Sequence, residues 1–249
     1  MPTPLSWPDC RNVRDLGGLP TASGGRIREG ALIRADSLAR LTEEGIAQVL
    51  AVGVRRIVDL RNVDEATDHP FATELDLYRL APLIDPAREP DRNKSAERGL
   101  ADIYCSSLER NHRSIVEGVS AIADAPDGTV VVHCAVGKDR TGMIVALVLN
   151  VAGVPDEVIA QDYAASTECL RADHEEILAS ITGDAQRRKA QERMSSRPET
   201  MAILLEFVRE RWGGAAEYLR AHGVTGEQLD RLRARLVQQS GSVAPQHGA

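Results

Sequence analysis

Residues 133–142 combine side chains that together could bind and transfer a phosphoryl group. The segment reads His-Cys-Ala-Val-Gly-Lys-Asp-Arg-Thr-Gly. The thiol of Cys134 can act as a nucleophile, and the planar guanidinium of Arg140 can bind two phosphate oxygens at once. Gly137 lets the backbone approach a ligand closely. The spacing therefore predicts a nucleophile and an anion clamp within one loop.

The elements on either side of this loop place it where ligands bind. Residues 129–132 are β-branched without polar alternation, which is typical of a strand buried on both faces. A helix is expected from about Arg140 to Ala152. At the carboxyl end of such a strand, the loop N–H groups and the helix N-terminus would form an anion cradle that also favours the thiolate of Cys134. The residues predicted to surround the phosphate are Ala135, Val136, Gly137, Lys138, Asp139 and Arg140.

The rest of the chain alternates predicted strands and helices. Strands are expected at 56–60 and 77–80, and helical spacing of apolar residues runs through 100–123. Another helix is expected to begin after Thr42, as its N-cap, and to stop at Gly53. This alternation predicts an α/β fold with a central, mainly parallel sheet flanked by helices.

The domain organisation follows from where the composition changes. No linker rich in Gly, Ser or Pro separates two cores, so a single domain is expected over residues 12–237. Its last third is helical, and Thr225 with Gln228 forms a capping box. Residues 1–11 and 238–249 are predicted to be flexible ends.

The composition excludes several classes of protein. The chain has 249 residues, 43% of them hydrophobic and 27% charged, which is typical of a globular domain. The net charge of −7 argues against nucleic-acid binding. Four scattered cysteines without a Cys-x-x-Cys pair argue against a disulfide framework and a structural zinc site. No cofactor or metal is expected.

No targeting or membrane segment is predicted. The longest apolar stretch, 143–154, is too short to span a bilayer, and residues 1–12 contain no signal-peptide pattern. We therefore expect a cytoplasmic protein without an integral membrane segment, and export without a cleavable signal stays open.

The pattern His-Cys-x5-Arg-Thr-Gly resembles the signature of the cysteine-dependent protein tyrosine phosphatase superfamily. More narrowly, the chain is similar to the bacterial atypical tyrosine/serine phosphatases. The segments that carry the resemblance are 12–18, 34–36, 57–61, 137–142 and 162–163. The resemblance covers most of residues 12–237. It implies a tyrosine-phosphatase-like fold with a helical lid at about 168–197, followed by C-terminal helices.

The resemblance also implies a mechanism and roles for the loop residues. Cys134 would form a cysteinyl-phosphate, which water would hydrolyse to inorganic phosphate without a metal. Arg140 and the loop amides would stabilise the equatorial oxygens. His133 would support the loop and the thiolate by hydrogen bonding, and Thr141 would donate its hydroxyl to the sulfur. Asp59 would orient Arg140, although a helix-capping or surface role is an open alternative.

Asp139 is the candidate general acid. The resembling enzymes carry an aspartate beside the motif arginine, where a carboxyl group can protonate the leaving oxygen. The alternative is that Asp139 only stabilises the helix N-terminus, with Asp85 or Asp91 as the acid. Residues 7–9 spell the Trp-Pro-Asp of other tyrosine phosphatases, but so near the N-terminus we interpret this as coincidence.

The predicted substrate is phosphotyrosine in proteins, with phosphoserine and phosphothreonine as further substrates. Lys138 resembles a lysine of phosphoinositide phosphatases, so a phosphoinositide is the first alternative, unless the side chain points to solvent. The basic stretch 187–197 could attract an anionic substrate or form a solvated helix face. A phosphate-binding module without catalysis is a further alternative, against which Cys134, Arg140 and Asp139 together argue. The oligomeric state is left open.

Overall fold

The structure is a computed structural model that describes residues 2–239. Its strands are β1 (Thr3–Pro4), β2 (Arg14–Asp15), β3 (Arg26–Ile27), β4 (Leu32–Ala35), β5 (Val54–Asp59), β6 (Tyr78–Leu80), β7 (Thr129–His133) and β8 (Val237–Gln238). Its α-helices are α1 (Glu43–Ala51), α2 (Leu100–Arg110), α3 (His112–Ala123), α4 (Asp139–Val151), α5 (Asp156–Cys169), α6 (Arg171–Ser180), α7 (Asp184–Met194), α8 (Pro198–Trp212), α9 (Ala215–His222) and α10 (Gly226–Leu236). Two 3-10 turns cover Val63–Glu65 and Pro86–Asp91.

Six strands form the central sheet, in the order β1-β2-β4-β7-β5-β6. The four strands β4, β7, β5 and β6 are parallel, and β1 and β2 extend the sheet as antiparallel strands at one edge. The α/β fold with a mainly parallel sheet is therefore confirmed.

Strand β7 runs through the centre of the sheet and is buried along its whole length. Because successive side chains point to opposite faces, Val130 and Val132 pack in one core cluster with α4, while Val131 packs in the other with α1. Both faces are thus covered, which explains why the strand has no polar alternation.

The register of the sheet brings three strand ends together. Ala35 at the end of β4 and Asp59 at the end of β5 both pair with His133 at the end of β7. The segments that follow these strands therefore leave the same edge of the sheet side by side, and the predicted catalytic loop is the central one.

The predicted helix over 100–123 is two helices, α2 and α3, separated at Asn111. The buried Asn111 side chain accepts a hydrogen bond from the backbone N–H of Asp85 (2.9 Å) and donates to the hydroxyl of Ser107 (3.0 Å). An asparagine that bonds locally in this way competes with the helical hydrogen-bond pattern. The predicted caps at Thr42 and at Thr225 with Gln228 are confirmed.

The chain ends were predicted to be flexible, and several of their residues take part in the fold. Thr3–Pro4 pairs with β2, and Trp7 is buried in the core on the α1 side of the sheet. Gln238 pairs with Arg26 in a small second sheet, and the remainder of the predicted tail, 240–249, lies outside the described residues. Within residues 2–239, none of the helices is both long enough and apolar enough to cross a membrane.

Candidate active site

The loop between β7 and α4 wraps around the sulfur of Cys134. This residue is only 2% exposed, and the backbone N–H of Gly137 donates a hydrogen bond to its Sγ over 3.3 Å. Gly137 has a φ of 69°, and a Cβ there would lie 2.5 Å from the carbonyl oxygen of Ala35. Only glycine permits this close approach, so the loop depends on it for its shape.

Two side chains from the N-terminal part of the chain, those of Asn12 and Arg34, hold the loop from behind. Arg34 donates to the carbonyl oxygen of Gly137 (2.6 Å), and the amide of Asn12 donates to that of Val136 (3.0 Å). With two carbonyls fixed in this way, the neighbouring N–H groups are free to point into the loop, as an anion cradle requires.

Arg34 is itself fixed by a buried ion network around Asp162. One carboxylate oxygen of Asp162 lies 2.7 Å from Nε of Arg14, and the other lies 2.6 Å from a terminal nitrogen of Arg34. Burial by itself would raise the pKa of Asp162, but the two arginines lower it below its ordinary value. The resembling segments 12–18, 34–36 and 162–163 thus meet behind the loop between β7 and α4.

His133 belongs to a buried hydrogen-bonded chain that ends at Cys134. The backbone N–H of Phe71 donates to Nδ1 of His69 (3.2 Å), and the Nε2 atoms of His69 and His133 lie 3.1 Å apart. Nδ1 of His133 lies 3.2 Å from the carbonyl oxygen of Cys134. Because that oxygen can only accept, a complete chain requires both rings to be neutral, with Nε2–H on His69 and Nδ1–H on His133.

Asp59 lies beside this chain and does not contact Arg140. Its carboxylate accepts hydrogen bonds from the guanidinium of Arg61 (2.7 to 3.1 Å) and from the hydroxyl of Tyr78 (3.0 Å). Burial acts to raise the pKa of Asp59, but the hydrogen bonds and the positive charge of Arg61 hold it at about 2. A carboxylate oxygen of Asp59 and one ring nitrogen each of His69 and His133 lie within 4.8 Å of one another, an arrangement that could hold a metal ion.

The carboxylate on Arg140 comes from Glu65 instead, which corrects the role predicted for Asp59. The two terminal nitrogens of Arg140 lie 2.5 and 2.8 Å from the two oxygens of Glu65. This contact with Arg140 lowers the pKa of Glu65. Asp59 is unavailable because Arg61, two residues along the chain, occupies both of its oxygens. Sequence reasoning missed Glu65, whose only local signal is the capping box with Asn62.

Lys138 faces neither solvent nor the inside of the loop. Its Nζ donates to the carbonyl oxygens of Arg193 (2.6 Å) and Ser195 (3.3 Å), at the end of α7, and the residue is 3% exposed. Helices α6 and α7, within the predicted lid, contain no buried residue. Lys138 therefore links the loop between β7 and α4 to the end of this exposed helical pair.

Asp139 lies at the start of α4, with its side chain 42% exposed. Its Oδ1 accepts a hydrogen bond from the hydroxyl of Tyr104 and lies 3.3 Å from Nζ of Lys138. A cavity of about 290 Å³ lies beside it, with Tyr104, Arg140 and Arg193 in its wall. A leaving group in this cavity would be near the carboxyl group of Asp139.

The structure also locates the remaining predicted residues, Thr141, Asp85 and Asp91. Thr141 is buried, and its hydroxyl has no hydrogen-bond partner among the described residues, so the predicted bond to the sulfur is not formed here. Asp85 caps the turn Pro86–Asp91, and Asp91 pairs with Arg88 at 3.4 Å.

Comparison with known proteins extends beyond the loop. A family model described as "Tyrosine phosphatase family" matches residues 5–238. The chain belongs to the tyrosine phosphatase family. A tyrosine-protein phosphatase from Nostoc commune is 31% identical over 235 residues, covering 88% of this chain and 78% of that protein. The triple specificity protein phosphatase PtpB of Mycobacterium tuberculosis is 26% identical over 275 residues, covering 92% of this chain and 98% of that protein.

The chain is therefore a protein-tyrosine phosphatase. The thiol of Cys134, the N–H of Gly137 that bonds to it and the guanidinium of Arg140 all come from residues 134–140, which follow the carboxyl end of β7. Most of the catalytic effect in phosphoryl transfer comes from such positioned charges and donors.

The neutral histidine chain makes the stability of this phosphatase sensitive to acid. Burial lowers the pKa of His69 from 6.5 to about 3. As the pH falls, His69 is therefore protonated in the unfolded chain at a higher pH than in the folded protein. We expect the free energy of unfolding to decrease as the pH falls from 6.5 towards 3. Urea unfolding across this interval should show a shallower decrease for His69→Gln. If the free energy of unfolding decreased equally with pH in His69→Gln and in the parent protein, the neutral state assigned to His69 would be contradicted.

Proposed function

We propose that this phosphatase hydrolyses phosphotyrosine in proteins through a cysteinyl-phosphate intermediate, with phosphoserine and phosphothreonine as further substrates. The observation that supports the proposal most directly is the hydrogen bond from the N–H of Gly137 to the Sγ of Cys134, because an N–H donor directed at the sulfur favours its thiolate form. The name of the mycobacterial relative, a triple specificity phosphatase, supports the wider substrate range.

The first chemical step joins sulfur to phosphorus. The thiolate of Cys134 attacks phosphorus in line, the bond from phosphorus to the ester oxygen breaks, and Asp139 gives that oxygen its proton. In the second step, water loses a proton to Asp139 and attacks phosphorus, and the sulfur leaves. The products are the free hydroxyl compound and inorganic phosphate.

Arg140 stabilises the phosphoryl oxygens in both steps while Glu65 holds it in place. Of the five N–H groups of the guanidinium, two donate to the carboxylate of Glu65. The other three are available for phosphate oxygens. Glu65 thus acts as a positioning residue, since it fixes the plane in which Arg140 presents these donors.

The proposal is tested by measuring phosphate release from matched substrates. A phosphotyrosine peptide, the same peptide with phosphoserine or phosphothreonine, and vesicles with a monophosphorylated phosphoinositide are compared in the presence of a chelator. We expect the highest kcat/KM with phosphotyrosine, and acid quenching should trap phosphate on the protein. Phosphate release from the lipid alone would overturn the proposal in favour of a phosphoinositide phosphatase. If no substrate released phosphate, the result would favour a phosphate-binding module without catalysis.

The role of Asp139 gives a prediction about leaving groups. Asp139→Asn should lower kcat/KM for an aryl phosphate with a poor leaving group by about 100-fold, because general acid catalysis contributes at least this much. An aryl phosphate whose leaving group departs without a proton should be nearly unaffected. Equal loss on both substrates would contradict the assignment, and the same measurements on Asp85→Asn and Asp91→Asn would then identify the acid.

A further inference from the structure

The hydroxyls of Tyr163 and Tyr104 form a chain that ends on the carboxylate of Asp139. We propose that Tyr104 is a positioning residue, which orients Asp139 for proton transfer, and that Tyr163 fixes Tyr104 for this task. The inference rests on the proposed function, because it concerns the general acid of that reaction.

The two tyrosines reach Asp139 from different helices. Tyr104 comes from α2 and Tyr163 from α5, and both are almost completely buried. Their hydroxyl oxygens lie 2.9 Å apart, and Tyr104 also bonds Oδ1 of Asp139. Their rings meet edge to face, with centroids 6.2 Å apart and an angle of 89° between the planes.

The direction of the chain follows from counting protons. An ionised carboxylate can only accept, so the single proton of the Tyr104 hydroxyl points at Asp139. The Tyr104 oxygen must then accept from Tyr163, which donates its own proton. Burial raises the pKa of both phenols above the ordinary value, so both keep the protons that this arrangement needs.

The chain also distinguishes the two oxygens of Asp139. Tyr104 and Lys138 both approach Oδ1. When Asp139 carries the proton that it will give to the leaving group, Oδ1 can remain the acceptor for Tyr104, and the proton can reside on Oδ2. Tyr104 thereby limits rotation of the carboxyl group and keeps one defined oxygen for the transfer, which is the geometric requirement of general acid catalysis.

The motif itself makes room for this arrangement. A Cβ on Gly142 would lie 3.0 Å from the ring of Tyr163. The glycine that ends the signature thus lets α5 and its tyrosine pack against the first turn of α4, beside Asp139. The residue after Asp162 in the resembling segment 162–163 is this tyrosine, so one short segment supports both the loop and the acid.

The test combines Tyr104→Phe with Asp139→Asn in a double-mutant cycle. Phenylalanine keeps the ring packed and removes only the hydroxyl. We expect Tyr104→Phe to lower kcat/KM about tenfold for the aryl phosphate with the poor leaving group and to leave the good leaving group nearly unchanged. In the Asp139→Asn background, Tyr104→Phe should have little further effect, because the asparagine at position 139 has no acidic proton to transfer.

Tyr218→Phe is the matched control. The hydroxyl of Tyr218 is also buried and donates to the carbonyl oxygen of Leu108 on α2 (2.8 Å), so its loss perturbs the same helix without touching Asp139. It should not change the dependence on the leaving group. Equal loss on both substrates in Tyr104→Phe, or an undiminished loss in the Asp139→Asn background, would reduce Tyr104 to a structural role and overturn the inference.

The outcomes separate the inference from the proposed function. If Asp139→Asn shows no dependence on the leaving group while Cys134 remains essential, the inference fails and the cysteinyl-phosphate mechanism stands. If hydrolysis does not require Cys134, the proposed function itself fails.

Discussion

Replacing Cys134 with serine is expected to lower kcat/KM for a phosphotyrosine peptide by roughly 10⁴-fold or more, the scale seen when a nucleophile is removed from a catalytic unit. The serine hydroxyl is nearly the same size, so the loop can keep its shape and its bond from the N–H of Gly137. A neutral hydroxyl is a much weaker nucleophile than a thiolate, and no general base among the described contacts of the sulfur would activate it.

Binding should survive this substitution even though turnover does not. Arg140 and the N–H groups of the loop are unchanged in Cys134→Ser, so the peptide should still bind, and calorimetry can measure its affinity. The phosphate trapped on the protein after acid quenching should disappear. Loss of both binding and turnover would indicate a collapsed loop, and full activity would overturn the cysteinyl-phosphate mechanism.

Cys105→Ser is the matched control for this experiment. Cys105 is half-buried on α2, where burial and then Asp102 raise the pKa of its thiol to about 11. At neutral pH it is a protonated thiol, and the cavity that it lines has no residue of 133–142 in its described wall. Its replacement should leave the kinetics unchanged, which shows that the effect belongs to position 134.

The loop could be predicted from the sequence because its determinants are local. The buried strand, the glycine and the start of α4 all lie within about ten residues, and each has a direct physical signature in residue type and spacing. The orientation of Cys134 at the end of a parallel strand follows from those elements alone. The same holds for the caps at Thr42 and Thr225, which act on the residues beside them.

The partners of the loop residues could not be predicted, since they come from distant segments. Glu65 is 75 positions from Arg140, and Tyr104 is 35 positions from Asp139. Asp59 was assigned to Arg140 on the resemblance, whereas the packing gives it to the nearer Arg61. Neither composition nor periodicity records which of several carboxylates a fold brings to a given guanidinium.

The largest loss of folding stability is expected when Asp162 is replaced. This residue belongs to the resembling segment 162–163, for which the sequence predicts no role. Asp162 is fully buried between Arg14 and Arg34, and these two side chains are also buried. Asp162→Asn removes the negative charge and leaves two guanidinium groups without compensation. Breaking a buried ion pair from one side costs about 3–5 kcal/mol, so we expect a loss of this size in the free energy of unfolding.

The comparison with an exposed pair separates burial from ion pairing. Asp230 pairs with Arg233 at 3.0 Å, but both side chains are exposed. Asp230→Asn should therefore change the free energy of unfolding by less than about 1 kcal/mol. Denaturant unfolding of both variants and the parent protein measures the difference directly. Similar small losses in the two variants would show that the buried network does not depend on its charge.

The buried network also connects stability to catalysis through Arg34. In Asp162→Asn, Arg34 loses the partner that fixes it 2.6 Å from the carbonyl oxygen of Gly137. The folded fraction of this variant should consequently show a lower kcat/KM at temperatures well below its unfolding midpoint. If the folded variant kept the parent kinetics, Asn12 alone would be sufficient to hold the loop, and the ion network would serve only the stability of the sheet.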